Sequence, residues 1–386
     1  MNIEQKQSYT EKFKKYYPHA REIEYYFTPG RVNIIGEHLD YNGGFVFPAA
    51  IDLGIYALVH LRNDEEIHLR SADFDTEISF NLNDPIVYKD EWSWANYPAG
   101  VIAQMKNNGK KINGMDIFFF STLPQGSGLS SSAAIEVLMG YIIDHDTISE
   151  EKDRVQLAQL CQKVENEFIG VQCGIMDQFA VAMGKKDHAI LLNANSLEYD
   201  YAPFDLKDYQ LIIMNSKKPR KLAESKFNER QNECQQALTI LREHYEIDSL
   251  AQAPIDSLKH ITDDILKKRA RHVITENQRV IFSMKQLKNN NINALGNYLI
   301  ASHRSLKEDY EVTGFELDSL VDAANNHYNC IGARMTGAGF GGCALALVER
   351  TAINDFIKSV KIEYKYKTDI EGEFYTAEIS DGVKAV

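Results

Sequence analysis

MDIFFFS at residues 115–121, followed by LPQGSGLSSSAA at 123–134, is the stretch whose reading decides the fold. The first segment has the apolar density of a buried strand, and the second places Gly126 and Gly128 directly before Ser130, Ser131 and Ser132, where an apolar helical pattern over 130–143 begins. Strand, glycine loop and helix in that order make an anion cradle. Glycines let backbone approach a phosphate, and the first helical turn leaves N–H groups and the positive end of the dipole free. The loop lacks the Gly-Lys-Ser/Thr ending of a Walker loop, and Ser131 stands where the last glycine of G-x-G-x-x-G would be. A plain serine cap after a glycine turn accounts for part of this pattern. Three adjacent serines exceed what capping requires, and a hydroxyl there suits a magnesium ion carried by phosphates.

Working outward, residues 1–17 space Tyr9, Phe13, Tyr16 and Tyr17 as an amphipathic helix, and 24–80 is strand-rich, with runs at 25–28, 54–62 and 67–71. Helical patterns follow at 92–106, 154–168 and 175–183, and strands at 189–192 and 211–215. The polar stretch 195–208 lacks helical period and is the expected domain boundary. Long helical patterns then dominate at 222–244, 265–288, 292–310 and 315–328. The chain closes with strands at 332–335 and 343–348, a helix at 352–363 and a strand near 373–378. No repeat of 20–50 residues suggests a solenoid or propeller.

Composition narrows the function classes. Forty-two Lys and Arg against 55 Asp and Glu give a net charge of −13, which repels a nucleic-acid backbone. The basic clusters Lys217, Lys218, Arg220, Lys221 and Lys267, Lys268, Arg269, Arg271 read as solvated helix faces. The five cysteines are scattered without a C-x-x-C pair, which fits a reducing compartment and disfavours a zinc knuckle. No signal peptide or membrane-spanning run is legible, so the expectation is a cytoplasmic protein without nucleic-acid or membrane partners.

Two further glycine-rich segments carry polar chemistry. PGRVNIIGEHLDYNGGFVFP, residues 29–48, gathers Arg31, Glu37, His38 and Asp40 around Gly36 and ahead of the Gly43-Gly44 turn. Carboxylates and an imidazole so close together can bond several hydroxyls of a polyol at once; a surface turn between strands is the plain alternative. One histidine with two carboxylates is a poor metal set. MTGAGFGGC, residues 335–343, is a tight turn or a place of close backbone approach. Between them, CGIMDQ at 173–178 puts Asp177 just after Gly174 at a helix start, with Glu165 on the preceding helix. Such carboxylates bind magnesium, orient a hydroxyl or accept its proton, and most carboxylates do none of these.

In this order the three glycine-punctuated loops resemble the motifs of the galacto-, homoserine, mevalonate and phosphomevalonate (GHMP) kinase superfamily, and PGRVNIIGEHLDYNGG is similar to the galactose-recognition signature of galactokinases. The resemblance spans essentially the whole chain. It implies ATP-dependent phosphorylation of the anomeric hydroxyl of α-D-galactose, with Mg2+, in galactose metabolism. The implied fold is α+β with two lobes. Residues 1–200 would form a galactose- and ATP-binding lobe of mixed sheet (ribosomal protein S5 domain 2-like). Residues 201–386 would form a ferredoxin-like lobe whose last strand could pack on the first, with the active site in the cleft between them and the protein a monomer. By resemblance, Glu37, His38, Asp40, Gly174 and Phe227 join Asp177 around the sugar. Ser71, Gly126, Ser127, Gly128, Leu129, Ser130, Ser131 and Ser132 wrap the nucleotide, and Ser132 and Glu165 hold magnesium. Asp177 is the implied base and Arg31 the group that stabilises the moving phosphoryl.

Phosphoryl transfer has a loose transition state, so positioning and charge neutralisation dominate. Asp177 is therefore expected to orient the hydroxyl and take its proton late. One departure stands out: aligning LAESKFNER puts Phe227 where galactokinases usually carry a sugar-bonding tyrosine, which predicts weaker galactose binding without loss of activity. Relatives acting on N-acetylgalactosamine are a rival reading. A non-catalytic galactose and ATP sensor is another, but such sensors have a shortened serine and alanine loop, and 130–134 is intact here.

Overall fold

The computed structural model describes residues 3–124, 126–218 and 223–386. In its first part run α1 (Ile3–Tyr16), β1 (Glu24–Asn33), β2 (Phe45–Val46), β3 (Pro48–Leu61), β4 (Glu66–Ser71), β5 (Ile78–Asn81), α2 (Asn96–Asn107), β6 (Met115–Ser121), α3 (Ser131–Asp144), α4 (Glu151–Val164), α5 (Met176–Met183), β7 (His188–Asn193) and β8 (Tyr199–Pro203). Then come β9 (Tyr209–Asn215), α6 (Ala223–Arg242), α7 (Asp264–Lys288), α8 (Ile292–Ser305), α9 (Gly314–Asn325), β10 (Cys330–Met335), β11 (Cys343–Glu349), α10 (Ile353–Thr368), β12 (Glu373–Ala377) and β13 (Lys384–Ala385).

Among the described residues these strands make a six-stranded mixed sheet, β13-β1-β3-β6-β4-β5, a four-stranded sheet, β10-β11-β9-β12, and a small β2-β7-β8 sheet. The apolar run of β6 is explained by burial on both faces. Ile117 and Phe119 point into the main core with α2 and α3, whereas Phe118 and Phe120 pack with Phe13 and Tyr17 of the α1 segment. The lead-in helix is thus a cover for one face of the first sheet. In the second sheet the order β9, α9, β10, β11, α10, β12 gives the βαββαβ pattern of a ferredoxin-like unit, with α6 to α8 inserted after its first strand.

The structure departs from the sequence expectations at several places. The stretch 195–208 contains β8, whose alternating Tyr199, Asp200, Tyr201 and Ala202 pair with β7. Polar residues on its solvent side hid it. Residues Asp90–Ala95 form a 3-10 turn before α2, and the helix over 154–168 ends in the π turn Glu165–Ile169. The strand near 373–378 joins β9 in the second sheet, while the two-residue β13 returns to pair with β1. Arg269 does not sit on a solvated face: it is 2 % exposed and bonds Glu233 and Glu311. Leu222, Arg220 and Lys221 lie outside the described residues.

The two main sheets meet where β1 ends. Asn33 accepts from Thr336 and Arg334 through its carbonyl, and its own N–H donates to the Thr336 hydroxyl at 3.0 Å. The Gly36 N–H donates to Glu276 of α7 at 3.0 Å. The loop after β1 is therefore clamped from the second half of the chain, and the cleft lies at that clamp.

Candidate active site

Arg31, near the end of β1, is buried and joins the motifs that the sequence keeps apart. Its Nε and Nη2 donate to Oδ1 and Oδ2 of Asp177, both at 2.8 Å, and its Nη1 donates to the Gly128 carbonyl at 2.9 Å. The Ser130 hydroxyl donates to Asp177 Oδ2 at 2.7 Å. A bidentate guanidinium fixes the plane of the carboxylate as well as its place. Asp177 sits in the first turn of α5 with its side chain 31 % exposed, against 5 % for Arg31. The pair is anchored on one side and open on the other.

The cradle has the expected shape. Gly126, Gly128 and Ser130 take φ of 64°, 75° and 62°, so the loop turns through left-handed backbone before α3 starts at Ser131. Ser127, Leu129 and Ser130 are buried in that turn, and Ser131 and Ser132 face a cavity of about 400 Å3. Ser71, Asp73, Phe74, Trp94 and Phe119 also line it. Phe74 and Trp94 stack at 6.0 Å between centroids, making a flat apolar slot beside the cradle. Such a slot fits a planar heterocycle whose phosphates reach the helix end.

A second cavity of about 390 Å3 is lined by Arg31, Glu37, His38, Asp40, Glu165, Gly174, Asp177 and Phe227. Gly174 is required there, because a Cβ would lie 2.1 Å from Asp40 Oδ2. Burial, then the charge of Asp177, pushes the Asp40 carboxyl up to about 6. Glu37 and His38 are held by the third glycine loop. Glu37 forms an ion pair with Arg334 and accepts the Gly337 N–H at 2.9 Å. The His38 Nε2–H donates to the Ala338 carbonyl at 3.2 Å, so its Nδ1 accepts from the Tyr41 hydroxyl at 2.8 Å. Burial, then neighbouring His272, lowers His38 to about 3, which keeps the ring neutral. Both residues therefore line the cavity while docking the two halves of the chain, and Asp40 offers the more open carboxylate. The Phe227 ring stands edge-on to Tyr41 at 5.0 Å.

Between the cavities, Ser132 bonds Glu165, which also accepts from Gln178 at 2.5 Å. Glu136 reaches the same Gln178 at 3.4 Å, and its Oε1 is buried with no partner among the described residues. Burial, then Glu165, pushes Glu136 well above the usual carboxylate range; burial, then Asp177, pushes Glu165 up. A hydroxyl and carboxylates that repel one another fit a divalent cation. Glu136 was missed in the sequence, though its signal is there: a lone acid in an apolar helix, four residues after Ser132 and so on the same face. The aromatic slot of Phe74 and Trp94 was missed as well, and only the fold brings those rings together.

Three family models match the chain. The galactokinase galactose-binding signature matches residues 11–61, the GHMP kinases N-terminal domain 96–185 and the GHMP kinases C-terminal domain 283–365. The galactokinase of Fusobacterium nucleatum is 47 % identical over 382 residues, covering 97 % of this chain and 98 % of that one. The chain belongs to the galactokinase family. The Enterococcus faecalis galactokinase is 48 % identical over 366 residues, covering 93 % and 94 % of the two chains. The crystal structure of Lactococcus lactis galactokinase complexed with galactose superposes with a TM-score of 0.93 at 42 % identity, covering 98 % of this chain and 99 % of that one. Methanococcus jannaschii mevalonate kinase, at 20 % identity and a TM-score of 0.68 over 94 % of this chain and 99 % of its own, shares the fold. As a galactokinase-family member the chain is a sugar-kinase phosphotransferase of the two-lobed GHMP fold. Among the described residues no helix is long and apolar enough to cross a membrane.

Proposed function

We propose that this chain transfers the γ-phosphoryl group of ATP to the anomeric hydroxyl of α-D-galactose, giving galactose 1-phosphate and ADP, the first committed step of galactose catabolism. The observation that carries the reading is the Arg31–Asp177–Ser130 cluster, which stands between a serine-started helix beside an aromatic slot and an acid-lined cavity. Residues 1–200 supply most of both pockets and residues 201–386 close the sugar side through Phe227, Gly337 and Ala338. We take the enzyme to act as a monomer in the cytoplasm, where its five cysteines, none of them in a disulfide, stay reduced.

A carboxylate has about four acceptor sites. Arg31 and Ser130 occupy three of them on Asp177, which lines the sugar cavity, and the remaining one, on Oδ1, would accept the anomeric hydroxyl. Asp40 would accept from other ring hydroxyls. Ring contact with Phe227 covers the pocket without bonding the sugar, where a tyrosine would donate or accept. ATP would seat its base against Phe74 and Trp94 beside Ser71, with its phosphates over the N–H groups of residues 126–132. Ser132 and Glu165, with Glu136 behind them, would hold Mg2+, which neutralises phosphate charge.

Because the transition state is loose, Asp177 holds the hydroxyl in line and takes its proton as the new bond forms. Arg31 cannot lose its proton and offsets charge both on Asp177 and on the migrating phosphoryl. The test is ADP release from Mg-ATP across a panel of hexoses, with phosphorus NMR of the product. Turnover with galactose but not glucose, and phosphate on the anomeric carbon, is the expected result. Equal turnover with both sugars, or phosphate on another carbon, would reject the assignment.

A further inference from the structure

On the α1 side of the first sheet a second polar group lies apart from the catalytic cluster. The strand registers create it. His60 on β3 and His68 on β4 are both direct cross-strand partners of Asp116 on β6, so a row imidazole, carboxylate, imidazole runs across adjacent strands. Cross-strand partners hold their Cβ atoms within about 5.5 Å. His19, in the turn that follows α1, closes the row from above, with Nε2 at 2.8 Å from Asp116 Oδ2. The Asp116 side chain is fully buried, an unusual place for an acid on the edge of an aromatic cluster.

The partners of Asp116 are divided between its oxygens. Oδ1 is taken by His68 Nδ1 at 2.8 Å and Arg62 Nη1 at 3.0 Å, whereas Oδ2 faces His19. Arg62 is shared, since it also makes a bidentate contact to Asp64 at 2.8 and 2.6 Å, so Asp116 is not its sole counter-ion. His60 donates through Nδ1–H to the Glu22 carbonyl at 3.0 Å, which fixes its tautomer and leaves Nε2 as a lone-pair nitrogen. A ring nitrogen tied to a backbone carbonyl, and a carboxylate steadied by outer partners, are the support that metal-binding side chains need. One ligand atom each from His19, His60 and Asp116 lies within 4.8 Å of the others.

We propose that His19, His60 and Asp116 bind one divalent transition-metal ion of the zinc class, with His68 and Arg62 as outer supports of Asp116. Two imidazoles and a carboxylate suit zinc or cobalt, and water completes a four-coordinate shell. The ion takes the place of the His19 Nε2–H bond to Asp116; that proton moves to Nδ1, so the neutral ring changes tautomer without net proton release. The ion then staples the turn after α1 to β3 and β6. No catalytic residue is involved, and the consequence is for stability.

The test is titration of chelator-stripped, nucleotide-free protein with Co2+, followed by visible d–d absorption, and then displacement by Zn2+. The expected result is saturation at one equivalent, with absorption lost on adding Zn2+ and a Zn2+-dependent rise in Tm. His19→Ala and His60→Ala, both at side chains not fully buried, should each weaken cobalt binding at least tenfold and abolish the Tm rise, and His68→Ala should weaken it about 10- to 100-fold. Absorption unchanged in the His19 and His60 variants, or a thiolate-to-cobalt charge-transfer band placing the ion at a cysteine, overturns the proposal. So does the lack of any tetrahedral cobalt spectrum at one equivalent.

Discussion

Asp40→Asn should make the ligand-free protein more stable at pH 8 while it cripples galactose use. In the fold the Asp40 carboxyl titrates at about 6 rather than its ordinary 3.8, because it is buried and faces Asp177. The folded state thus holds the Asp40 proton more tightly than the unfolded chain does. Below about pH 4 the group is protonated in both states and costs nothing; the cost grows between 4 and 6 and is complete above 6. Two units at about 1.4 kcal/mol each set a ceiling near 3 kcal/mol. Water in the open cavity screens part of this, and asparagine keeps an acceptor for the Tyr41 N–H, so a gain of about 1–2 kcal/mol at pH 8 is expected. Urea unfolding without galactose, at pH 8 and pH 4.5, measures it. The gain should shrink at the lower pH. Loss of a charged acceptor for sugar hydroxyls costs about 1.5–3 kcal/mol, or roughly 10- to 150-fold in galactose KM. A variant that is less stable than the parent at pH 8, or equally altered at both pH values, would refute the assignment of Asp40 as a strained, ligand-facing carboxylate.

Asp177→Asn should cut the single-turnover rate by about 10²–10⁴-fold with little change in ATP binding, and unchanged turnover would remove Asp177 from the mechanism. Phe227→Tyr should lower the galactose KM by about 2- to 12-fold, the worth of about 0.5–1.5 kcal/mol for one neutral hydrogen bond, with kcat nearly constant; an unchanged KM would mean the phenol finds no sugar partner. Arg334→Met should leave Glu37 buried without its counter-ion and lower stability by about 3–5 kcal/mol, read by urea unfolding; a loss under 1 kcal/mol would contradict that ion pair. Glu165→Gln should raise the Mg2+ concentration needed for half-maximal rate at least tenfold, and an unchanged Mg2+ profile would place the ion elsewhere.

How much of this was legible in the sequence depends on range. The cradle was, because glycine backbone freedom and serines at a helix start are local properties, and 123–134 carries both. The long helices α7 and α8 were, because their apolar period repeats over many turns. The two-residue strands β2 and β13 were not, since they offer no alternation and owe their pairing to the distant β7 and β1, and β8 is hidden within the polar stretch 195–208. Arg31 and Asp177 stand 146 residues apart, and no local pattern joins them. Resemblance to a family supplied that link, and the bidentate contact gives it a physical form. Even resemblance did not suggest that Glu37 and His38 tie the third glycine loop to the first, or that Arg334 stands behind Glu37. Those are tertiary contacts between motifs, and each motif read singly looks complete without them. The carboxylate row of Asp116 is a further case, set by strand register and invisible until the strands are paired.

The most direct test of the central claim is a crystal structure with galactose, Mg2+ and a non-hydrolysable ATP analogue. The anomeric oxygen should lie within hydrogen-bond reach of Asp177 Oδ1, the terminal phosphate beside it over the first turn of α3, and the base against Phe74 and Trp94. A hexose whose anomeric oxygen points away from Asp177, or phosphates resting away from residues 126–132, would contradict it.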